Sequence, residues 1–155
     1  MKIESAPYSY RADSFVMAFD DSKPLIVFDG VCVLCSGFVK FVLRYDRANR
    51  FRFTLAQGPL GQALYRHYGL DLVEFETNLV MRQGAVYSKL GAFAAVLSEL
   101  GGIWKLFTFI KFIPQPISDW LYDRIAKNRY RIFGRTEYCM VPDAEIRDRF
   151  IGSLS

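Results

Sequence analysis

Four consecutive apolar residues, Leu25-Ile26-Val27-Phe28, follow Pro24 and read as a strand buried on both faces. Asp29-Gly30 breaks that run. From about Val33 to Ala48 apolar residues recur at helical spacing through Val39, Val42 and Leu43, with Asn49 as a left-handed stop. Phe51 to Leu55 alternates Phe, Arg, Phe, Thr, Leu, a strand pattern, and Gly58-Pro59 opens a second helix that ends near Gly69. Leu79-Val80-Met81 and Ala85-Val86-Tyr87 flank Arg82-Gln83-Gly84, a compact hairpin signal. A third helix sets Leu90, Phe93, Ala94 and Leu97 on one face and stops at Gly101-Gly102. Two more helical pieces, Ile103 to Ile113 and Ser118 to about Phe133, are divided by Pro114 and Pro116.

Strand, helix, strand, helix, hairpin, helix is an order with a physical consequence. The first crossover makes a parallel pair and the hairpin adds antiparallel neighbours, so the expected fold is a mixed sheet flanked by helices. This α/β order is that of a thioredoxin-like fold, here with an added C-terminal helical hairpin. Residues 1–23 are polar and broken up and read as an N-terminal arm, which leaves 24–155 as one domain. No internal repeat or low-complexity tract divides it.

Composition narrows the function classes. The 155 residues are 52% hydrophobic and 16% aromatic, enough to build a core without disulfide staples. The net charge of +4 is spread along the chain, and neither zinc-finger spacing nor an interleaved aromatic and basic motif points to nucleic acid. Residues 1–21 show neither the apolar core nor the small-residue cleavage site of a secretory signal, so none is expected, and no apolar run reaches the roughly 18 residues of a membrane span. The nearest, Ile103 to Ile113, carries Lys105 and Lys111. A soluble cytoplasmic protein is the expectation, with contact of this segment with a membrane surface left open. Three cysteines make an odd number, and in a reducing compartment a close pair is catalytic or metal-binding more often than structural.

That pair is Cys32-Val33-Leu34-Cys35. A buried strand ends at Phe28, a turn follows, and a helix begins at or just after Cys32. Unpaired N–H groups and partial positive charge in the first turn of a helix stabilise an anion. A Cys32 thiolate there has a lowered pKa and becomes the attacking nucleophile. Cys35, one turn later on the same side, can resolve a mixed disulfide. Asp29 has two compatible readings: it takes the Cys35 proton as general base, or it accepts backbone N–H bonds at the turn. No bound cofactor is required, because electrons enter and leave through the cysteines.

Asp29-Gly30-Val31-Cys32-Val33-Leu34-Cys35 resembles the signature of the DCC family of predicted thiol–disulfide oxidoreductases, named for its Asp, Cys and Cys. Gly101-Gly102-Ile103-Trp104, Ala126-Lys127-Asn128-Arg129-Tyr130-Arg131 and Glu137-Tyr138-Cys139-Met140-Val141-Pro142 are similar to further family patterns, so the resemblance runs from about Leu25 to Phe150. It implies a thioredoxin-like fold and a redox role for Cys32 and Cys35 with Asp29 beside them, acting on a protein or low-molecular-weight disulfide or thiol. One departure stands out. Redox proteins of the wider thioredoxin class usually place a cis-proline before the strand that faces the cysteine pair, and Glu76-Thr77-Asn78-Leu79 has none.

The same residues allow rival readings. Cys32, Cys35, Cys139 and His67 match a Cys3His zinc set, but structural zinc sites draw ligands in close pairs, and only one such pair exists. A non-catalytic binding module that keeps the fold and uses its aromatic C-terminal helices is the other alternative. An apolar strand ending in Asp-Gly also suggests an aspartyl phosphatase, but that chemistry needs a second Asp at position 31, which is Val. His67 reads as a partly buried helix residue and Cys139 as a small buried hydrophobe. Lys127, Arg129, Arg131 and Arg135 read as a solvent-facing basic stretch at a helix C-terminus, and Trp104 to Phe112 as core packed on the sheet or the last helix.

Overall fold

A computed structural model of the chain describes residues 10–12, 14, 16, 19, 22–70, 78–82, 85–134 and 149–151. In it, β1 (Leu25–Phe28) is buried at all four positions because it has a strand on each side and helices over both faces. The sheet order is β2-β1-β3-β4, where β2 is Arg52–Leu55, β3 Leu79–Arg82 and β4 Ala85–Ser88. β1 runs parallel to β2, with Leu25 opposite Arg52 and Phe28 opposite Leu55. It runs antiparallel to β3, which in turn pairs antiparallel with β4. This is the mixed α/β sheet of a thioredoxin-like fold.

Period-two alternation along β1 divides the core. Leu25 and Val27 join Leu60, Leu64 and Tyr65 of α2 (Pro59–His67) on one face. Ile26 and Phe28 join Val39 and Val42 of α1 (Val33–Tyr45) and Ala92 and Val96 of α3 (Lys89–Leu100) on the other. Each of the Leu, Ile, Val and Phe side chains contributes about 1.5–3 kcal/mol by leaving water. Tyr10, within the stretch read as an arm, is buried in the first cluster and stacks on Phe19 with ring centroids 5.7 Å apart.

Three expectations are corrected here. α1 ends at Tyr45, not at Ala48, because the Asp46 carboxylate receives the N–H groups of Arg50 (3.1 Å) and Phe51 (2.9 Å) and turns the chain into β2. Asn49 has the expected positive φ of 54°, but beyond the helix. α4 spans Gln115–Phe133 and starts before Ser118, since Pro116 is tolerated in its first turn. The 102–112 segment is a 3-10 helix (Gly102–Phe112) entered through two positive-φ glycines, Gly101 and Gly102. It packs beside α3, with Trp104 against Phe41 and Tyr45 of α1 at 4.9 Å each. Ile103, Leu106, Phe107, Phe109 and Phe112 are exposed, so most of this aromatic stretch is not core.

The chain end is tied to the edge strand. Arg149 ion-pairs with Asp46 in a buried position and donates from Nε to the Phe51 carbonyl at 3.2 Å. The Ile151 N–H donates to the Phe53 carbonyl at 2.8 Å, and Phe150 bridges to Phe53 in parallel. No described helix is long and apolar enough to cross a membrane.

Gly61 marks the closest approach of α2 to the end of β2. A Cβ there would run into the Leu55 carbonyl oxygen and stand 2.7 Å from the Ala56 Cα. Alanine favours a helix interior by about 1 kcal/mol over glycine, but a backbone clash of this kind costs on the order of 1–3 kcal/mol. The clash should win: Gly61→Ala is expected to lower the Tm in a thermal melt, and an unchanged or raised Tm would contradict this packing.

Candidate active site

The turn between β1 and α1 is held from three sides. The Cys32 N–H donates to the Asp29 carbonyl at 3.3 Å, and the Ala56 N–H continues the parallel ladder to the Phe28 carbonyl at 2.8 Å. Gln57, in the turn after β2, receives the Gly30 N–H on its Oε1 at 3.1 Å and donates from Nε2 to Asp29 Oδ1 at 2.5 Å. The same Oδ1 accepts the Val31 N–H at 3.0 Å, so the backbone-acceptor role of Asp29 is present.

Cys32 is the N-cap of α1, in extended conformation, and its Sγ accepts the Cys35 N–H at 3.3 Å. A sulfur occupies the place usually taken by a Ser or Asp oxygen. Both cysteines are reduced, Cys32 wholly buried and Cys35 half-buried. The hydrogen bond from the Cys35 thiol, joined by the Cys35 N–H and the Arg129 charge, pulls Cys32 from 9.0 down to about 6, against burial and the Asp29 carboxylate. The same donation, together with burial, pushes Cys35 far up. One thiol of the pair is thus prepared to ionise and the other to keep its proton.

Arg129 corrects the reading of the basic stretch. Lys127 and Arg131 are exposed as expected, but Arg129 is 4% exposed. Its guanidinium meets Asp29 Oδ2 at 3.3 Å, and the Tyr130 hydroxyl makes a short hydrogen bond to the same oxygen. α4 turns this face inward because a buried carboxylate needs a partner charge, and Arg129 is the one it has. Burial and the Asp29 contact raise the Tyr130 pKa, so the phenol stays a donor.

A cavity of about 660 Å³ opens beside the pair, walled by Cys35, Phe38, Tyr65, Phe93 and Tyr122, with Asp29 and Arg129 also on its lining. Its lining residues Val33, Ile125 and Phe133 are exposed and mark its mouth. At the entry to β3, where a proline is missing, the Asn78 N–H donates to the Tyr122 hydroxyl at 3.1 Å and that hydroxyl donates back to Asn78 Oδ1 at 2.6 Å. The backbone edge at Asn78 is therefore taken up by α4. Glu76, Thr77, Arg135, Cys139 and the rest of 137–142 lie outside the described residues. His67 ends α2 with its ring edge-on to Tyr68 at 4.7 Å. Among the described residues no three His, Cys, Asp or Glu side chains are grouped to hold a metal ion.

Local sequence signals mark Cys32, Cys35 and Asp29 but not the donors around them. Arg129 reads in sequence as one of a solvent-facing basic stretch, and Tyr130 beside it has no role assigned by the sequence. Gln57 and Tyr122 carried no local signal.

Comparison with known proteins adds the family. The model of the DCC1-like thiol-disulfide oxidoreductase family matches residues 26–135. The chain is 39% identical over 127 residues to the uncharacterized protein YuxK of Bacillus subtilis (strain 168), covering 82% of this chain and 93% of that protein. It is 33% identical over 121 residues to a chloroplastic DCC family protein of Arabidopsis thaliana (At1g52590), covering 77% of this chain and 70% of that one. No solved structure matches.

Two outcomes follow from the charges. Arg129→Met should raise the ionisation midpoint of Cys32 above about 6, read by thiolate absorbance against pH. It should also destabilise the fold by about 3–5 kcal/mol by leaving a buried carboxylate alone. A midpoint that stays put would remove Arg129 from the electrostatics. Second, between about pH 6 and 9 the unfolded chain holds a Cys32 proton that the native chain has lost, so stability of the reduced protein rises with pH across that window. It is lost again as pH falls through about 6. Above about 9, where an unfolded Cys35 ionises and the native one does not, stability should decline. Denaturant midpoints against pH, compared with Cys32→Ser, check this; equal profiles would contradict the lowered thiol.

Proposed function

The chain belongs to the DCC1-like thiol-disulfide oxidoreductase family, and we propose that it exchanges disulfides through Cys32 as nucleophile and Cys35 as resolving thiol. The observation that carries this reading is the place of Cys32 Sγ at the N-cap of α1, where it accepts the Cys35 N–H at 3.3 Å, an arrangement that draws Cys32 down to about 6 and holds its neighbour protonated. A thiolate present at neutral pH attacks; a thiol does not.

In the reducing direction, the Cys32 thiolate attacks one sulfur of a substrate disulfide. The other substrate sulfur leaves as a thiolate and takes a proton. The Cys35 proton is then lost, its sulfur attacks Cys32 Sγ, and the second substrate thiolate departs. The substrate gains two electrons and the pair becomes a disulfide. Asp29 shares the cavity lining with Cys35 and is the proposed acceptor of its proton. Val31, Gln57, Arg129 and Tyr130 all donate to that carboxylate, so protonation must displace one of them.

Cys32 is covered and Cys35 borders the cavity, so substrate approaches from the Cys35 side and the cover over Cys32 must open for attack. The apolar walls suit a disulfide carried on an apolar body or flanked by apolar side chains, either protein or low-molecular-weight.

Alkylation of Cys32 by iodoacetamide as a function of pH is expected to give a midpoint near 6; a midpoint at the ordinary thiol value would overturn the assignment. Cys35→Ser should trap substrate as a stable mixed disulfide on Cys32, and Cys32→Ser should abolish exchange. Asp29→Asn should leave the first attack in place while the mixed disulfide accumulates. An empty Cys35→Ser trap under oxidative challenge would refute the proposal.

A further inference from the structure

The 3-10 helix Gly102–Phe112 sorts its side chains into rows three residues apart, because that helix has three residues per turn. One row is Ile103, Leu106, Phe109 and Phe112, exposed at 65%, 73%, 59% and 77%. At about 2.0 Å rise per residue the row forms a ridge roughly 18 Å long. A second row holds Trp104 and Phe107, with Trp104 lodged between Phe41 and Tyr45. Lys105 and Thr108 begin the third, polar row, Lys105 exposed and Thr108 bonded to the Lys105 carbonyl at 2.7 Å. The segment is thus anchored along one row and bare along another.

This is no scatter of single surface hydrophobes. Of the thirteen exposed large hydrophobic residues among those described, eleven fall between Ile103 and Phe133, five of them in the 3-10 helix. The apolar exposure continues in sequence through Ile117, Trp120 and Leu121 of α4, where Arg124 lies 5.6 Å from the Trp120 ring centre. From Gly101 to Ser118 the chain has two lysines and no acidic residue. A patch of this extent marks a contact surface. Along the 3-10 helix itself, aromatic and branched apolar side chains beside Lys105, with the first acid only at Asp119 of α4, match the interfacial zone of an anionic bilayer.

We infer that the Ile103–Leu106–Phe109–Phe112 ridge is a membrane-surface docking edge that enters the headgroup region of an anionic bilayer, with Lys105 meeting lipid phosphate. A ridge that stands out from the fold and carries no hydrogen-bonding group along its crest suits a lipid interface better than a peptide groove, which asks for matched donors and acceptors. Docking would hold the chain at the bilayer without a spanning helix. It does not depend on the redox assignment.

The full-length chain is mixed with vesicles of phosphatidylcholine plus phosphatidylglycerol and, separately, of phosphatidylcholine alone, and sedimented. Binding to the anionic vesicles is expected, weaker binding to the neutral ones, partial release by salt, and a blue shift of tryptophan emission on binding. Leu106→Glu with Phe109→Glu should weaken vesicle binding by at least roughly tenfold, since both lose their apolar insertion. The double variant should keep the Cys32 alkylation profile, which shows that the fold survives. Lys105→Ala should lower binding to the anionic vesicles and leave the neutral ones unaffected. The inference is overturned if the wild type stays in the supernatant with both vesicle types, if the folded double variant binds as well as the wild type, or if the substitutions abolish self-association in size-exclusion chromatography and leave vesicle binding unaltered.

Discussion

A carboxylate buried at the end of a central strand must find a counter-charge, and that requirement shapes the molecule. Asp29 is 2% exposed. Its two oxygens are divided between local donors, the Val31 N–H and Gln57, and distant ones, Arg129 and Tyr130. The local bonds fix the turn before Cys32. The distant pair brings α4 over the end of the sheet, where it closes one wall of the cavity through Tyr122, Ile125 and Phe133. Leaving either charge alone in this setting costs several kcal/mol, so turn and helix stand or fall together.

The thiol chemistry depends on the same pairing. A bare Asp29 carboxylate would oppose a Cys32 thiolate, as its sign of influence on both cysteines indicates. Arg129 offsets that charge and leaves the helix N-terminus and the Cys35 donors to determine the outcome. The N-cap position matters because the first-turn N–H groups have no partner within the helix. Here one of those donors, the Cys35 N–H, reaches a sulfur. The fold therefore holds one thiol of the pair low and its neighbour high in one fixed arrangement.

How far the sequence foretells this depends on the range of the interaction involved. The β1 run, the α1 spacing, the hairpin and the junction at Cys32 are local patterns, and the sheet order follows from how they connect. Arg129 is different. In sequence it stands with Lys127 and Arg131 in a basic stretch, but two residues of α-helix turn it about 200° away from each of them, onto the face of Ala126, where it meets a carboxylate 100 residues earlier. The Asp46 turn is missed for a similar reason: its stop signal is a side chain that caps N–H groups four and five residues on, and that Arg149 then neutralises. The 3-10 segment misleads in another way. Apolar spacing predicts burial, but two positive-φ glycines and Pro114 confine eleven residues to a tighter helix whose repeat of three leaves one apolar row outside.

The sequence distance between Asp29 and Arg129 also sets an order of events during synthesis. The cysteines emerge from the ribosome roughly 100 residues before the guanidinium that completes their site, an interval of about 5–20 s at common elongation rates. Until α4 arrives, the two thiols lack the Arg129 charge that helps lower Cys32. A nascent chain therefore carries a Cys32 that ionises less readily, and the ionisation of that thiol becomes a report that the C-terminal helix has docked.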